Sequence, residues 1–184
     1  MRIVGGKFRG KTLLSPRDDA IRPTADRVRE SVFNILASRL GPSLDGKRVL
    51  DLFAGTGALG LEALSRGASN VIFVDTGAES RGLIRDHIEA FAAGGTTKLL
   101  RRDATALGAA GNMGPFDLVF LDPPYAQGLA ELALASLLSG KWLAPSATMV
   151  VEESAEVTLA PPPGFLLTDR REYGAAAVHF LTVE

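Results

Sequence analysis

Asp51-Leu52-Phe53-Ala54-Gly55-Thr56-Gly57-Ala58-Leu59-Gly60 decides the fold of this 184-residue chain. The run Arg-Val-Leu-Asp-Leu-Phe at 48–53 is apolar almost throughout, the pattern of a strand covered on both faces, and residues 58–66 repeat apolar side chains at helical spacing. Gly55, Gly57 and Gly60 therefore stand where a first strand turns into a first helix. Glycine is demanded there because the turn is tight and because a Cβ would hold the backbone away from a ligand at the carboxyl end of the sheet.

The same alternation continues outward. Asn-Val-Ile-Phe-Val-Asp at 70–75, Lys-Leu-Leu-Arg-Arg at 98–102 and Phe-Asp-Leu-Val-Phe-Leu-Asp at 116–122 read as strands, with helical patterns over 78–93 and 129–139. Thr-Met-Val-Val-Glu-Glu at 148–153 follows as a fifth strand. Beyond the breaker Pro161-Pro162-Pro163-Gly164, the runs 165–173 and 176–183 are close enough to pair antiparallel. Alternating strands and helices of this kind predict an α/β, Rossmann-like fold: a mostly parallel, seven-stranded sheet with an antiparallel edge. Ahead of it, 2–14 reads as a β-hairpin punctuated by Gly5-Gly6 and Gly10. Thr24 is the expected N-cap of a helix with Asp26 in its first turn and Val28, Val32, Ile35, Leu36 and Leu40 on one face, ended by Gly41-Pro42. Residues 1–43 are thus expected to be an extension of a main domain spanning 44–184. The chain is 46% hydrophobic, enough to bury one core of this size.

Charge and composition remove several chemistries. There are no cysteines, which excludes disulfides, thiolate metal sites and a cysteine nucleophile. No run approaches the roughly 18 apolar residues of a membrane span, and the start Met-Arg-Ile-Val-Gly-Gly-Lys lacks the apolar block of a signal peptide, so a cytoplasmic location is expected. The net charge of -1 hides an asymmetry: residues 1–48 hold eleven Lys/Arg against five Asp/Glu, the remainder nine against sixteen. Only the front end suits a polyanion, with Lys7, Arg9, Lys11, Arg22, Arg27 and Arg29 as candidates to grip phosphate; a solvated, Arg-rich face is the alternative.

The G-x-G-x-x-G spacing is shared by dinucleotide binders and methyltransferases, and a tight turn without a ligand also satisfies it. Carboxylates sharpen the choice. Asp51, just before the glycines, suits a cationic amino group such as the ammonium of S-adenosylmethionine and repels a diphosphate. Asp75 ends the second strand, where an acidic side chain accepts from ribose hydroxyls, as it does in NAD binders too. Asp103, after the third strand, is placed either to read an adenine amine or simply to cap a helix. Asp122-Pro123-Pro124-Tyr125 follows the fourth strand and so opens on the same sheet edge. An exocyclic amine on an aromatic base is a poor nucleophile; the Asp122 carboxylate and the Pro123 carbonyl can accept its N–H hydrogens as it becomes tetrahedral, and Tyr125 offers a face for the base to stack on. No metal is required: His87 and His179 are far apart in sequence, and His179, Glu62 and Trp142 are expected to be structural.

Residues 51–68 (DLFAGTGALGLEALSRGA), 73–75 (FVD), 122–128 (DPPYAQG) and the front-end GGKFRGK with RPTADRVRESVFNIL resemble the bacterial 16S rRNA guanine-N2 methyltransferases of the RsmD type over nearly the whole chain. The resemblance implies a class I S-adenosylmethionine methyltransferase fold and methylation of guanine 966, in the family's rRNA numbering, with 16S rRNA in an assembling 30S subunit as partner. Carried over by position, the cofactor site is Asp51, Ala54, Gly55, Gly57, Asp75 and Asp103, and the reaction site is Asp122, Pro123 and Tyr125. After the second strand the family commonly reads Glu, a variable residue, then Asp or Asn; here Asp75 is followed by Thr76-Gly77, so the shorter Asp75 is left to reach the ribose and the second polar contact lacks its usual residue. Rival readings are an adenine-N6 methyltransferase acting on DNA or RNA, an NAD-binding oxidoreductase, and a non-catalytic RNA-binding module. There is no insertion large enough for a separate DNA-reading domain, and the intact Asp-Pro-Pro-Tyr argues against a non-catalytic module.

Overall fold

The computed structural model describes residues 1–17 and 25–184. In chain order the elements are α1 (Asp26–Leu40), β1 (Arg48–Leu52), α2 (Ala58–Ser65), β2 (Asn70–Val74), α3 (Ala78–Ala90), β3 (Thr97–Leu100), β4 (Phe116–Leu121), α4 (Leu129–Ser139), β5 (Leu143–Ser154), β6 (Phe165–Tyr173) and β7 (Ala176–Val183). Short 3₁₀ turns at Ala104–Ala106 and Gly111–Met113 join β3 to β4. The strands form one sheet in the order β3-β2-β1-β4-β5-β7-β6. β1 to β5 run parallel, and β7 is the reversed strand, antiparallel to both β5 and β6, which builds the antiparallel edge that the last two apolar runs predict.

Alternate residues of each strand feed two cores, as the two-residue period of a strand requires. Val49, Phe73, Leu118, Phe120 and Val150 pack with α1, α2 and Ile84 of α3 on one face. Leu50, Leu52, Ile72, Val74, Val119, Leu121 and Val151 pack with α4 and Trp142 on the other. By the same count Asp51, Asp75, Asp122 and Glu152 all belong to the first face. Gly60 lets α2 lie close on that face: a Cβ there would stand 2.4 Å from the Phe73 ring.

Thr24, the expected cap of α1, lies outside the described residues; the flanking residue is Ala25, which supplies no side-chain cap, while Asp26 stands in the first turn and Gly41 (φ 99°) ends the helix. The expected hairpin of residues 2–14 closes around one bridge, Arg2–Thr12, with Ile3 N–H donating to the Lys11 carbonyl (2.9 Å) and Leu13 N–H to the Met1 carbonyl (2.9 Å). The amides towards its tip are taken by α2. Val4 N–H and Gly5 N–H donate to the Glu62 carboxylate (2.9 and 2.8 Å), Phe8 N–H to Ser65 Oγ (2.9 Å) and Lys7 N–H to Ser65 O (2.8 Å). Gly6 (φ 76°) allows this approach, since a Cβ would fall 1.9 Å from Ser65 O. Ile3, Leu13, Val32, Phe33 and Leu36 of the extension share one core with Val49 and Leu61 of the sheet domain. No helix of the described residues is long and apolar enough to cross a membrane.

Candidate active site

The strand register brings the acidic residues together. The last pairs of β1 are Leu52–Val74 on one side and Leu52–Leu121 on the other, so Asp75 and Asp122 leave the sheet at one level, flanking Phe53. The strand order reverses direction between β1 and β4, and a cleft of about 450 Å³ opens there, where open α/β sheets place their ligands. Asp51, Ala54, Gly55, Asp75, Asp122, Pro123 and Tyr125 all line it. Gly57 does not: it forms the left-handed turn (φ 79°) that starts α2 from behind the loop. Asp103 lies in an adjoining hollow with Phe53, Asp75, Thr76 and Pro124, and its carboxylate accepts from Thr105 N–H (2.8 Å) and Thr105 Oγ1 (2.7 Å), capping the 3₁₀ turn.

Asp75 and Asp51 are held by backbone amides. Asp75 accepts from Gly55 N–H (2.9 Å) with one oxygen and from Gly77 N–H (2.7 Å) with the other, so it ties the glycine loop to the start of α3. Asp51, 1% exposed, accepts from Gly60 N–H at 2.9 Å. Burial pushes the Asp51 carboxyl well above the ordinary carboxylate range; the Gly60 amide opposes this, and the nearby Asp122 and Asp75 push it up further. Among the described residues that line the cleft, three are carboxylates and none is Lys or Arg. Such a cleft fits a cation and opposes a pyrophosphate, whose charges need amides or cations as partners.

A raised carboxyl pKa in the folded state means that Asp51 adds stability only below its unfolded pKa, and that this is lost as pH rises through the folded value. Asp51→Asn, neutral and able to keep the Gly60 contact, is expected to raise the melting temperature at pH 7 and leave it unchanged below about pH 4. With one carboxylate fewer in the cleft, the same variant should weaken binding of a cationic ligand such as S-adenosylmethionine. Paired thermal scans and calorimetric titrations test both; lower stability at pH 7 with intact binding would reverse this account of Asp51.

Two glutamates absent from the sequence reading shape the Asp-Pro-Pro-Tyr loop. Tyr125 OH donates to Glu152 (2.7 Å), and Ala126 N–H donates to Glu153 (2.9 Å), a side chain 1% exposed. Both stand at the end of β5, one and two residues past the pair Leu121–Val151. Ala126 holds φ 58° and Phe53 φ 54°, left-handed values that non-glycine residues adopt at a cost of about 1–3 kcal/mol, so the loops on both sides of the cleft are over-determined. Phe53, Thr56, Thr76 and Ser80 also line the cleft. The signal for Glu152 and Glu153 is their place at a strand end, which becomes informative once β5 is known to neighbour β4.

The candidate cations divide. Lys7, Arg9, Lys11 and Arg27 are exposed, and Lys7 and Lys11 each lie 4.9 Å from the Phe8 ring centre. Arg22 lies outside the described residues. Arg29 must be withdrawn as a phosphate contact. Its side chain is 0% exposed, bonded to Glu62 (3.3 Å), Asp26 (2.9 Å) and the Arg2 carbonyl, because the face of α1 that carries it packs on α2. Glu62 and Trp142 are both 0% exposed and His179 1%, as a structural role requires.

A seven-stranded Rossmann-like sheet with an acidic cleft at the β1/β4 switch point defines a class I methyltransferase fold. Residues 1–182 match the family model described as "Conserved hypothetical protein 95". Ribosomal RNA small subunit methyltransferase D of Escherichia coli (strain K12) is 39% identical over 164 residues, 89% of this chain and 79% of that protein. The namesake from Haemophilus influenzae is 33% identical over 182 residues, 95% and 89% of the two chains. The solved structure of yhhF from Escherichia coli superposes with a TM-score of 0.84 at 33% identity, over 100% of this chain and 98% of that one. The chain belongs to this family, that of the RsmD-type methyltransferases.

Proposed function

We propose that this protein transfers the methyl group of S-adenosylmethionine to the exocyclic N2 amine of a guanine in small-subunit ribosomal RNA, guanine 966 in the family's numbering. The observation that carries the reading is the juxtaposition of an acidic cleft with the Asp-Pro-Pro-Tyr loop at adjacent strand ends. When bound, the donor supplies a methyl group already activated on a sulfonium. Asp51 would hold its ammonium, Asp75 its ribose hydroxyls through lone pairs left after Gly55 and Gly77 are served, and Asp103 its adenine amine, with Gly55 admitting the backbone to close approach.

On the acceptor side, Asp122 and the Pro123 carbonyl take the hydrogens of the target amine, and the Asp122 carboxylate receives the proton the amine sheds. Proline at 123 and 124 removes two N–H groups from the loop and stiffens it. Tyr125 stacks the base, worth roughly 1–3 kcal/mol, with its hydroxyl fixed by Glu152. A base must leave its helix to reach this floor, so the substrate is a loop or a partly assembled RNA surface. Residues 1–43 supply the grip, through Lys7, Arg9, Lys11 and Arg27, with Arg22 beside them in sequence.

Mass spectrometry of 16S rRNA from cells lacking the protein tests the assignment: the N2-methylguanine at the target should vanish, and an unchanged modification profile removes the reading. Binding of S-adenosylmethionine without binding of NAD separates it from the oxidoreductase. Replacing Lys7, Arg9 and Lys11 by alanine together should weaken RNA binding and lower the slope of log K against log salt by about 0.7–0.9 for each phosphate no longer neutralised. An unchanged slope would place the RNA on another face.

A further inference from the structure

His87 stands on α3, away from both the acidic cleft and the exposed cations, yet it touches the chain segments that carry each. Ser80, Ile84 and His87 form the buried stripe of α3, and the imidazole is 2% exposed. Its Nε2 accepts from Leu14 N–H at 2.8 Å, three residues beyond Lys11. Its Nδ1 lies 2.9 Å from the carbonyl of Thr56, the residue between Gly55 and Gly57 that itself lines the cleft. An Nε2 that accepts fixes the proton on Nδ1, so the ring donates to the glycine loop and accepts from the N-terminal segment at once. Burial favours that neutral form, holding the imidazole below its ordinary pKa against the Thr56 carbonyl and Asp86.

The bridge has support on both sides. Arg17 N–H donates to Glu79 (2.6 Å) in the first turn of α3, next to Ser80, which lines the cleft. The Phe8 ring packs on Phe91 at 5.0 Å, one helical turn past His87. The segment after Lys11 is therefore fastened to α3 at two points, and α3 begins beside the Asp75 clamp on Gly55 and Gly77.

We propose that His87 is a positioning residue that couples the N-terminal segment to the glycine loop, so that RNA held by the one and donor held by the other are energetically linked. The inference rests on the function proposed above. A loop whose Thr56 carbonyl is fixed through the imidazole feels any displacement of Leu14, and linkage requires that donor binding favour the RNA-engaged position by the same factor that RNA favours the donor.

The test is a thermodynamic cycle on the full chain. Affinity for a 16S rRNA transcript is measured with and without saturating S-adenosylhomocysteine, and affinity for S-adenosylhomocysteine with and without RNA. The wild type is expected to show reciprocal tightening of about 5-fold or more. His87→Asn keeps a donor near Nδ1 but cannot reach Leu14; His87→Gln keeps an acceptor near Nε2 but loses Thr56. In both, the factor should fall towards 1, and Leu14→Pro, which deletes the amide hydrogen at an exposed position, should do the same without touching the buried ring. A folded variant of the three that keeps the wild-type factor overturns the proposal, as does a wild type that binds both ligands independently. A wild type that binds neither ligand instead removes the proposed function itself.

Discussion

Asp122→Ala is expected to bind S-adenosylmethionine within a few-fold of the wild type and to lose about 10²–10⁴ in kcat, the range for removing a positioned proton acceptor. Two observations separate the losses. Asp122 lies on the β4 side of the cleft, whereas the amide-held Asp75 and the Gly55 turn lie on the β1/β2 side, so the ribose and loop contacts proposed for the donor are left in place. Asp122 also raises the Asp51 carboxyl by like-charge repulsion, so its removal makes Asp51 easier to ionise and opposes any loss of affinity for a cation. Asp122→Asn sharpens the test: its amide oxygen still accepts one hydrogen but cannot take the proton, so it should retain RNA binding with little turnover. Single-turnover transfer at saturating donor is the measurement. An Asn variant at wild-type rate would show that the residue orients the amine and that the proton leaves through another route.

How far these assignments are legible in the chain alone follows from where each interaction closes. β1, β2 and β4 announce themselves because a strand covered on both faces is apolar nearly throughout, and parallel neighbours then place Asp51, Asp75 and Asp122 at one edge. The front end reads less well because its partners are distant in sequence. Glycines at 5, 6 and 10 signal a hairpin, and its base does close on its own backbone, but the amides of Val4, Gly5 and Phe8 bond Glu62 and Ser65, more than fifty residues away. α3 stops at Ala90, three residues short of its apolar pattern, because Ala92 turns to φ 51°. β5 starts at Leu143, before the apolar run 148–153, because Leu143 pairs with Phe116 across a register irregularity. His87 reads as one more helical residue until α3 is docked on the glycine loop. In each case a local pattern fixes the element, and the partner awaits the sheet order.

Arg29 shows the same limit with the largest consequence for stability. In sequence it stands among Arg22, Arg27 and Asp26, and a phosphate contact is the natural reading; in the fold it neutralises a carboxylate with no access to water. Arg29→Ala would leave Glu62 buried with Arg66 Nε (3.0 Å) and the Val4 and Gly5 amides as partners. Breaking such a pair costs about 3–5 kcal/mol, a fall in melting temperature of roughly 6–20 °C for a chain this size. Exposed Arg9→Ala should stay within about 0.5 kcal/mol of the wild type. Replacing the pair together, Arg29→Met with Glu62→Leu, removes both buried charges and should recover part of the loss. It should not recover all of it, since the Val4 and Gly5 amides then lack their acceptor at about 1–3 kcal/mol each. Thermal unfolding of the four proteins decides the matter: if Arg29→Ala melts like the wild type yet loses one unit of salt dependence in RNA binding, the guanidinium faces phosphate after all and the Glu62 clamp contributes nothing.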